Sequence, residues 1–204
     1  MVKNKIINEI ALDGGLLCLN FVNSVNNRKT DDREDYFKTL HDFIDWTERL
    51  KIVNDKTAGK LQAKADRDAE SSASFFRHAI DFRELLYTIF RRISVKEKVP
   101  FIDLDRFNKA IREYFPFLQV EENADGFKEG WNIETDSFER LLAPIVKDSY
   151  ETILSRNHNR IKECPNCGWL FYDTTKNGKR RWCSMRSCGS NVKSLEWYYR
   201  NKGK

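Results

Sequence analysis

The sequence predicts an α+β protein: a mostly helical N-terminal unit with a small β element over residues 1–155, then a small cysteine-rich unit over residues 156–204. Three observations lead there. Apolar residues recur at helical spacing along most of the first unit. Asp125-Gly126 and Asn177-Gly178 are turn signals set between short alternating or aromatic segments, as hairpins require. Four of the five cysteines fall after residue 160, in two close pairs. At 204 residues with 40% hydrophobic and 33% charged content, the chain is too apolar for disorder and too polar for a membrane protein. Its apolar runs are far shorter than the roughly 20 residues that span a bilayer. No secretory core follows Met1, so a cytoplasmic protein without membrane association is expected.

Within the first unit, Phe37, Leu40, Phe43, Ile44 and Leu50 form a stripe in a helix over 35–52. Asp55 is placed to cap an Ala-rich helix reaching about residue 69. A third helix, from near Ser72 to Ile93, spaces Phe75, Ala79, Phe82, Leu86 and Ile89 on one face. Asp103 is placed to cap a fourth, ending about Tyr114. Residues 117–121 and 127–133 should pair as a hairpin across Asp125-Gly126. Asp136 to Glu139 has capping-box spacing for a last helix through Ile153, with Pro144 as a kink or restart.

The second unit reads Cys164-Pro-Asn-Cys167, then 15 residues, then Cys183-Ser-Met-Arg-Ser-Cys188. Two close pairs joined by a short connection suit a tetrahedral zinc site, since each pair grips the metal from one tight turn. Four ligands leave no open position, so one structural Zn2+ is expected. Two disulfides are the alternative, disfavoured in a chain without an export signal. Cys18 reads as a small buried apolar residue. Trp169-Leu-Phe-Tyr-Asp173 has strand character and Lys179-Arg-Arg-Trp-Cys183 is placed to return beside it. Ser190 to Arg200 follows as a helix, with Cys188, Val192, Leu195 and Tyr199 on a core face and Trp197 on the opposite one, where it docks on the first unit or, as the alternative, meets a partner. Knuckle, hairpin, then a helix carrying the last cysteine is a treble-clef-like order.

Residues 164–189 resemble the CGNR zinc finger of candidate bacterial transcription regulators, in cysteine spacing, in the Trp169 to Asp173 segment and in Arg180-Arg-Trp-Cys-Ser-Met185. The eponymous Cys-Gly-Asn-Arg is here Cys188-Gly189-Ser190-Asn191, without the family's cation at position 191. In that family the finger ends a chain that begins with an ABATE domain, and Leu17-Cys-Leu-Asn-Phe-Val-Asn-Ser-Val25 is similar to that domain's start. The resemblance implies a mixed helical domain with a ligand-sensing role. Asn20, Asn23 and Ser24 are its candidate ligand contacts, with turn formation and capping as their plainer reading.

Charge points to a polyanion. Residues 155–204 carry 12 Lys or Arg against 3 acids, a net of +9, while residues 1–154 are net −4. Four thiolates on one Zn2+ would leave the tail at about +7. Lys176, Lys179, Arg180 and Arg181 crowd the expected hairpin, Arg186 lies in the second cysteine pair, and Lys193 and Arg200 lie along the last helix. A DNA-binding regulator with a sensor-like body and a small-molecule effector is the expected function, with an RNA- or protein-binding module as the alternative. A lone finger has a small footprint, so a homodimer or a second contact is also expected. No enzyme is expected. His41, His78 and His158 are followed two residues on by Phe43, Ile80 and Arg160, which excludes the His-x-Glu element of zinc deaminases.

Overall fold

The computed structural model describes residues 5–31, 33–155 and 157–202. Its helices are α1 (Lys5–Glu9), α2 (Leu17–Val22), α3 (Leu40–Arg49), α4 (Asp55–Arg67), α5 (Ala69–Ser94), α6 (Phe101–Tyr114), α7 (Glu139–Ser155) and α8 (Ser190–Asn201). Two antiparallel pairs accompany them: β1 (Leu118–Asn123) with β2 (Gly126–Trp131), and β3 (Ile161–Glu163) with β4 (Leu170–Tyr172). Among the described residues no helix is long and apolar enough to cross a membrane.

The starts of α3, α4 and α5 follow the side chains that cap them. The stripe over 35–52 becomes a helix only at Leu40, because Thr39 and Asp42 form a capping box there. Asn54, one residue before the expected Asp55, accepts from the Thr57 amide to start α4. Asp68 does the same for α5 through the Ser71 amide, which begins that helix three residues early. Asp103 lies inside the first turn of α6, where its charge suits the positive end of the helix dipole. The first hairpin forms with Asn123 opposite Gly126, and α7 runs through Pro144.

The core is built around α5, whose Ala79, Phe82, Leu86, Ile89 and Phe90 are buried. Phe21, Phe37, Phe43 and Trp46 form an aromatic cluster with centroids 5.3–6.4 Å apart. Helix α2 has only six residues, too few to persist by propensity, and is held by burial of Cys18, Leu19, Phe21 and Val22. Cys18 is fully buried as expected, with its sulfur 3.6 Å from the Thr152 hydroxyl.

The two units meet in one apolar cluster, while the cysteines pack in a second with Trp169 and Phe171. Ile161 and Leu170 of the second sheet lie in the same cluster as α5 and α7. Asn23 completes the joint. Its side-chain amide donates to the Leu170 carbonyl at 2.8 Å and accepts from the Leu170 amide at 3.0 Å, as a neighbouring strand would. Trp169 Nε1 donates to the Val25 carbonyl (2.6 Å), Arg28 N to the Cys167 carbonyl (2.8 Å) and Tyr172 N to the Gly14 carbonyl (2.8 Å). Asn23→Ala would leave both Leu170 backbone groups buried without a partner. It is expected to lower stability by about 1–3 kcal/mol in urea denaturation of the full chain at constant metal.

Candidate metal centre and its basic surroundings

Strands β3 and β4 flank the first cysteine pair, pairing Ile161 with Tyr172, Lys162 with Phe171 and Glu163 with Leu170. Between them the chain turns tightly: Cys164 N donates to the Trp169 carbonyl (2.8 Å) and Gly168 N to the Cys164 carbonyl (2.9 Å). Gly168 has φ +74°, a conformation that suits glycine. The second pair arrives from below α8, where a single π-helical turn over Met185–Gly189 carries Cys188. All four cysteines are buried, and their sulfurs lie within 4.8 Å of one another. Cys167 to Cys183 and Cys183 to Cys188 are both 3.6 Å. A tetrahedron with metal–sulfur bonds of about 2.3 Å has edges of about 3.8 Å, so the spacing fits a metal ion.

Electrostatics agrees with the geometry. Cys164, accepting from Cys167 and Cys183, is held far below the ordinary thiol range. The donated hydrogens push Cys167 up to about 12 and Cys183 higher still. Sulfurs this close cannot all ionise by themselves; a divalent cation allows four thiolates to coexist.

The expected hairpin between residues 169–173 and 179–183 does not form. Strand β4 pairs with β3, on the other side of the knuckle. What prevents the return strand is Asp173, fully buried at the end of β4. Its carboxylate accepts from Lys162 Nζ (2.7 Å), Thr175 N (3.0 Å), Thr175 Oγ1 (2.6 Å) and Arg180 N (2.9 Å). Lys162 Nζ also donates to the Gly178 and Arg180 carbonyls, at 2.5 and 3.0 Å. The backbone of residues 175–180 is thereby wrapped around the Lys162–Asp173 ion pair instead of forming a ladder. Burial opposes the Asp173 charge, but Lys162, Thr175 and Arg180 outweigh it and hold the carboxyl well below its usual range.

Residues 15–155 match the model of the ABATE family, described as "Putative stress-induced transcription regulator", and residues 160–201 match the CGNR zinc finger. The chain belongs to the ABATE family. No curated protein matches it. The CGNR finger of this ABATE protein thus presents four buried cysteines positioned to bind a metal ion.

Of the cations that the sequence assigned to nucleic acid, Arg180 is turned inward. Its guanidinium lies over the Phe171 ring at 4.6 Å and donates to the Trp182 carbonyl (3.0 Å), the Asp13 carbonyl (3.2 Å) and the Cys183 carbonyl. It braces the metal centre. Lys176, Lys179, Arg181, Arg186, Lys193 and Arg200 are exposed on the CGNR finger. Helix α8 has no buried residue. The stripe expected to pack there is open, with Leu195 52% and Tyr199 69% exposed, and Trp197, expected on the body, is 65% exposed. The π turn explains the first miss: it breaks the 100° step after Cys188, so residues beyond it no longer share the ligand's face.

The ABATE residues Asn20, Asn23 and Ser24 serve structure. Asn20 Oδ1 accepts from Gly14 N (2.9 Å), Asn23 holds Leu170, and Ser24 Oγ accepts from Arg83 (2.9 Å). Sequence reasoning missed the network behind them. Arg83 pairs with Asp35 at 2.5 Å and Glu84 at 2.9 Å, and Glu84 pairs with Arg28 at 2.8 Å. Burial opposes the Glu84 charge, yet Arg28 and Arg83 keep its pKa below the ordinary value. A basic residue inside the apolar stripe of α5 was the available signal.

Asp173→Asn replaces an acceptor of four hydrogen bonds with a group that must also donate. It is expected to lower stability by about 1.5–3 kcal/mol at neutral pH. The wild-type advantage is complete above about pH 4, near the unfolded aspartate value, and shrinks as pH falls toward the depressed folded value. Denaturant melts of both proteins between pH 3 and pH 7 check this.

Proposed function

We propose that this ABATE-family protein is a DNA-binding transcriptional regulator whose CGNR finger folds on one structural Zn2+. Four cysteine sulfurs match zinc better than harder cations, which prefer oxygen. The observation that carries the nucleic-acid reading is the set of exposed cations on the finger, among them Lys176, Lys179, Arg181 and Arg186, gathered around a rigid metal turn. A cleft of about 500 Å³ between α1 and the knuckle, lined by Asp13, Asn26, Tyr36 and Trp169 and by edges of Cys167 and Cys188, is where a small-molecule effector would touch both units. An RNA or protein partner is the second reading, favoured by the exposed Trp197, Tyr198 and Tyr199 of α8, which offer flat rings to unpaired bases or to an apolar surface.

Elemental analysis of protein purified without chelator should find one zinc per chain, and Cys183→Ser should lose it. On duplex DNA, affinity should fall with salt at a log–log slope of about −0.9 per phosphate neutralised. Arg181→Ala should weaken binding to all sequences and flatten the slope by about 1, with zinc retained. Preference for single-stranded RNA at matched salt, or no salt-dependent binding to either nucleic acid, would move the assignment to the second reading.

A further inference from the structure

We propose that the phosphate-binding surface continues from the finger onto the helical body, as a trough in which Lys29 and Arg91 act with Lys179 and Arg181 around a single carboxylate, Glu163. This rests on the DNA-binding reading above. Two hollows of about 520 and 530 Å³ adjoin along β3 and share Lys29 and Glu163; the first is bounded by Arg91 of α5, the second by Lys179 and Arg181 of the finger.

Charge sets this face apart. Eight Lys or Arg residues and one acid line the two hollows, although residues 1–154 are net acidic. Four of the eight are committed elsewhere. Arg28 has a 1% exposed side chain, paired to Glu84 and stacked 4.1 Å over Tyr87. Lys162 and Arg180 serve the metal turn, and Arg92 pairs with Glu97 at 3.3 Å. Lys29 and Arg91 keep 40% and 50% of their side chains exposed, and Lys179 and Arg181 are exposed.

The finger itself seats the body's contribution. Arg28 N donates to the Cys167 carbonyl, and Lys29 Nζ to the Pro165 carbonyl at 3.2 Å. Gly168 makes room: a Cβ there would stand 3.1 Å from Arg28 Cβ and 3.2 Å from Lys29 Cγ. Glu163 then holds Lys29 at 3.5 Å and Arg91 at 3.4 Å. One carboxylate fixes two cations and neutralises only one charge. Thr88 and Ser94 donate their hydroxyl hydrogens to the Glu84 and Arg91 carbonyls, which leaves the cations to meet phosphate. A row of cations of this kind follows a duplex backbone and positions it without reading sequence. It also supplies the second contact that a small finger needs, without a second copy.

The test is anisotropy of a labelled 20-base-pair duplex with the zinc-loaded full chain over a salt series. The Lys29→Ala/Arg91→Ala variant should bind specific and unrelated duplexes more weakly, with a slope flatter by up to about 1.8. Lys29→Arg/Arg91→Lys should keep the wild-type slope. Glu163→Gln should bind about 3- to 10-fold tighter, a gain that misfolding cannot mimic. An unchanged slope in the double-alanine variant, with Arg181→Ala still impaired, overturns the trough and leaves the finger reading intact. Wild-type protein that binds no duplex defeats both. If the same double variant loses binding of tripolyphosphate and keeps that of duplex, the trough is a free-anion site and the proposal fails.

Discussion

A two-stranded sheet with three residues per strand cannot bury enough surface to hold itself together. The β3–β4 pair therefore exists by leaning on two larger constraints, four converging sulfurs on one side and the helical core on the other. Leu170 and Ile161 meet α5 while Phe171, the alternate residue of β4, packs with the cysteines. The period-two alternation of a strand is what lets one three-residue segment serve both. Asn23 matters because it closes the edge of that strand, where the described residues supply no third strand.

Buried charge is the second recurring device. Arg83 and Asp173 are almost wholly shielded from solvent, and each is surrounded by enough partners to offset the loss of hydration. Arg83 ties the segment after α2 to the middle of α5, and Asp173 gathers the loop that precedes the second cysteine pair. Both fix the course of irregular chain that has no ladder of its own. The cations left over from these tasks are the ones on the surface.

Much of this was legible in the sequence because periodicity and spacing are local. The stripes of α3 and α5 and the turn at Asp125-Gly126 gave elements close to those observed, with the starts of α3, α4 and α5 displaced by one to five residues where a different side chain supplied the cap. The four cysteines were legible from spacing alone, since a chelate demands it. The partner of β4 was not, because Ile161–Glu163 is too short to show alternation. Nor was the role of Arg180: a guanidinium beside Arg181 reads as one of a charged pair until the Cys183 and Asp13 carbonyls are seen to claim it. The open face of α8 was hidden by a π turn, which leaves no mark in residue periodicity.

The shared core has a thermodynamic consequence. Because Ile161 and Leu170 belong to the same apolar cluster as α5, free energy gained when the sulfurs are metallated is not confined to the finger. Linkage delivers it to whatever unfolds together with β3 and β4, at about 1.4 kcal/mol for each tenfold rise of free metal above its dissociation constant. A metal held by the four cysteines would in this sense stabilise the helical body too, although all four lie in the finger.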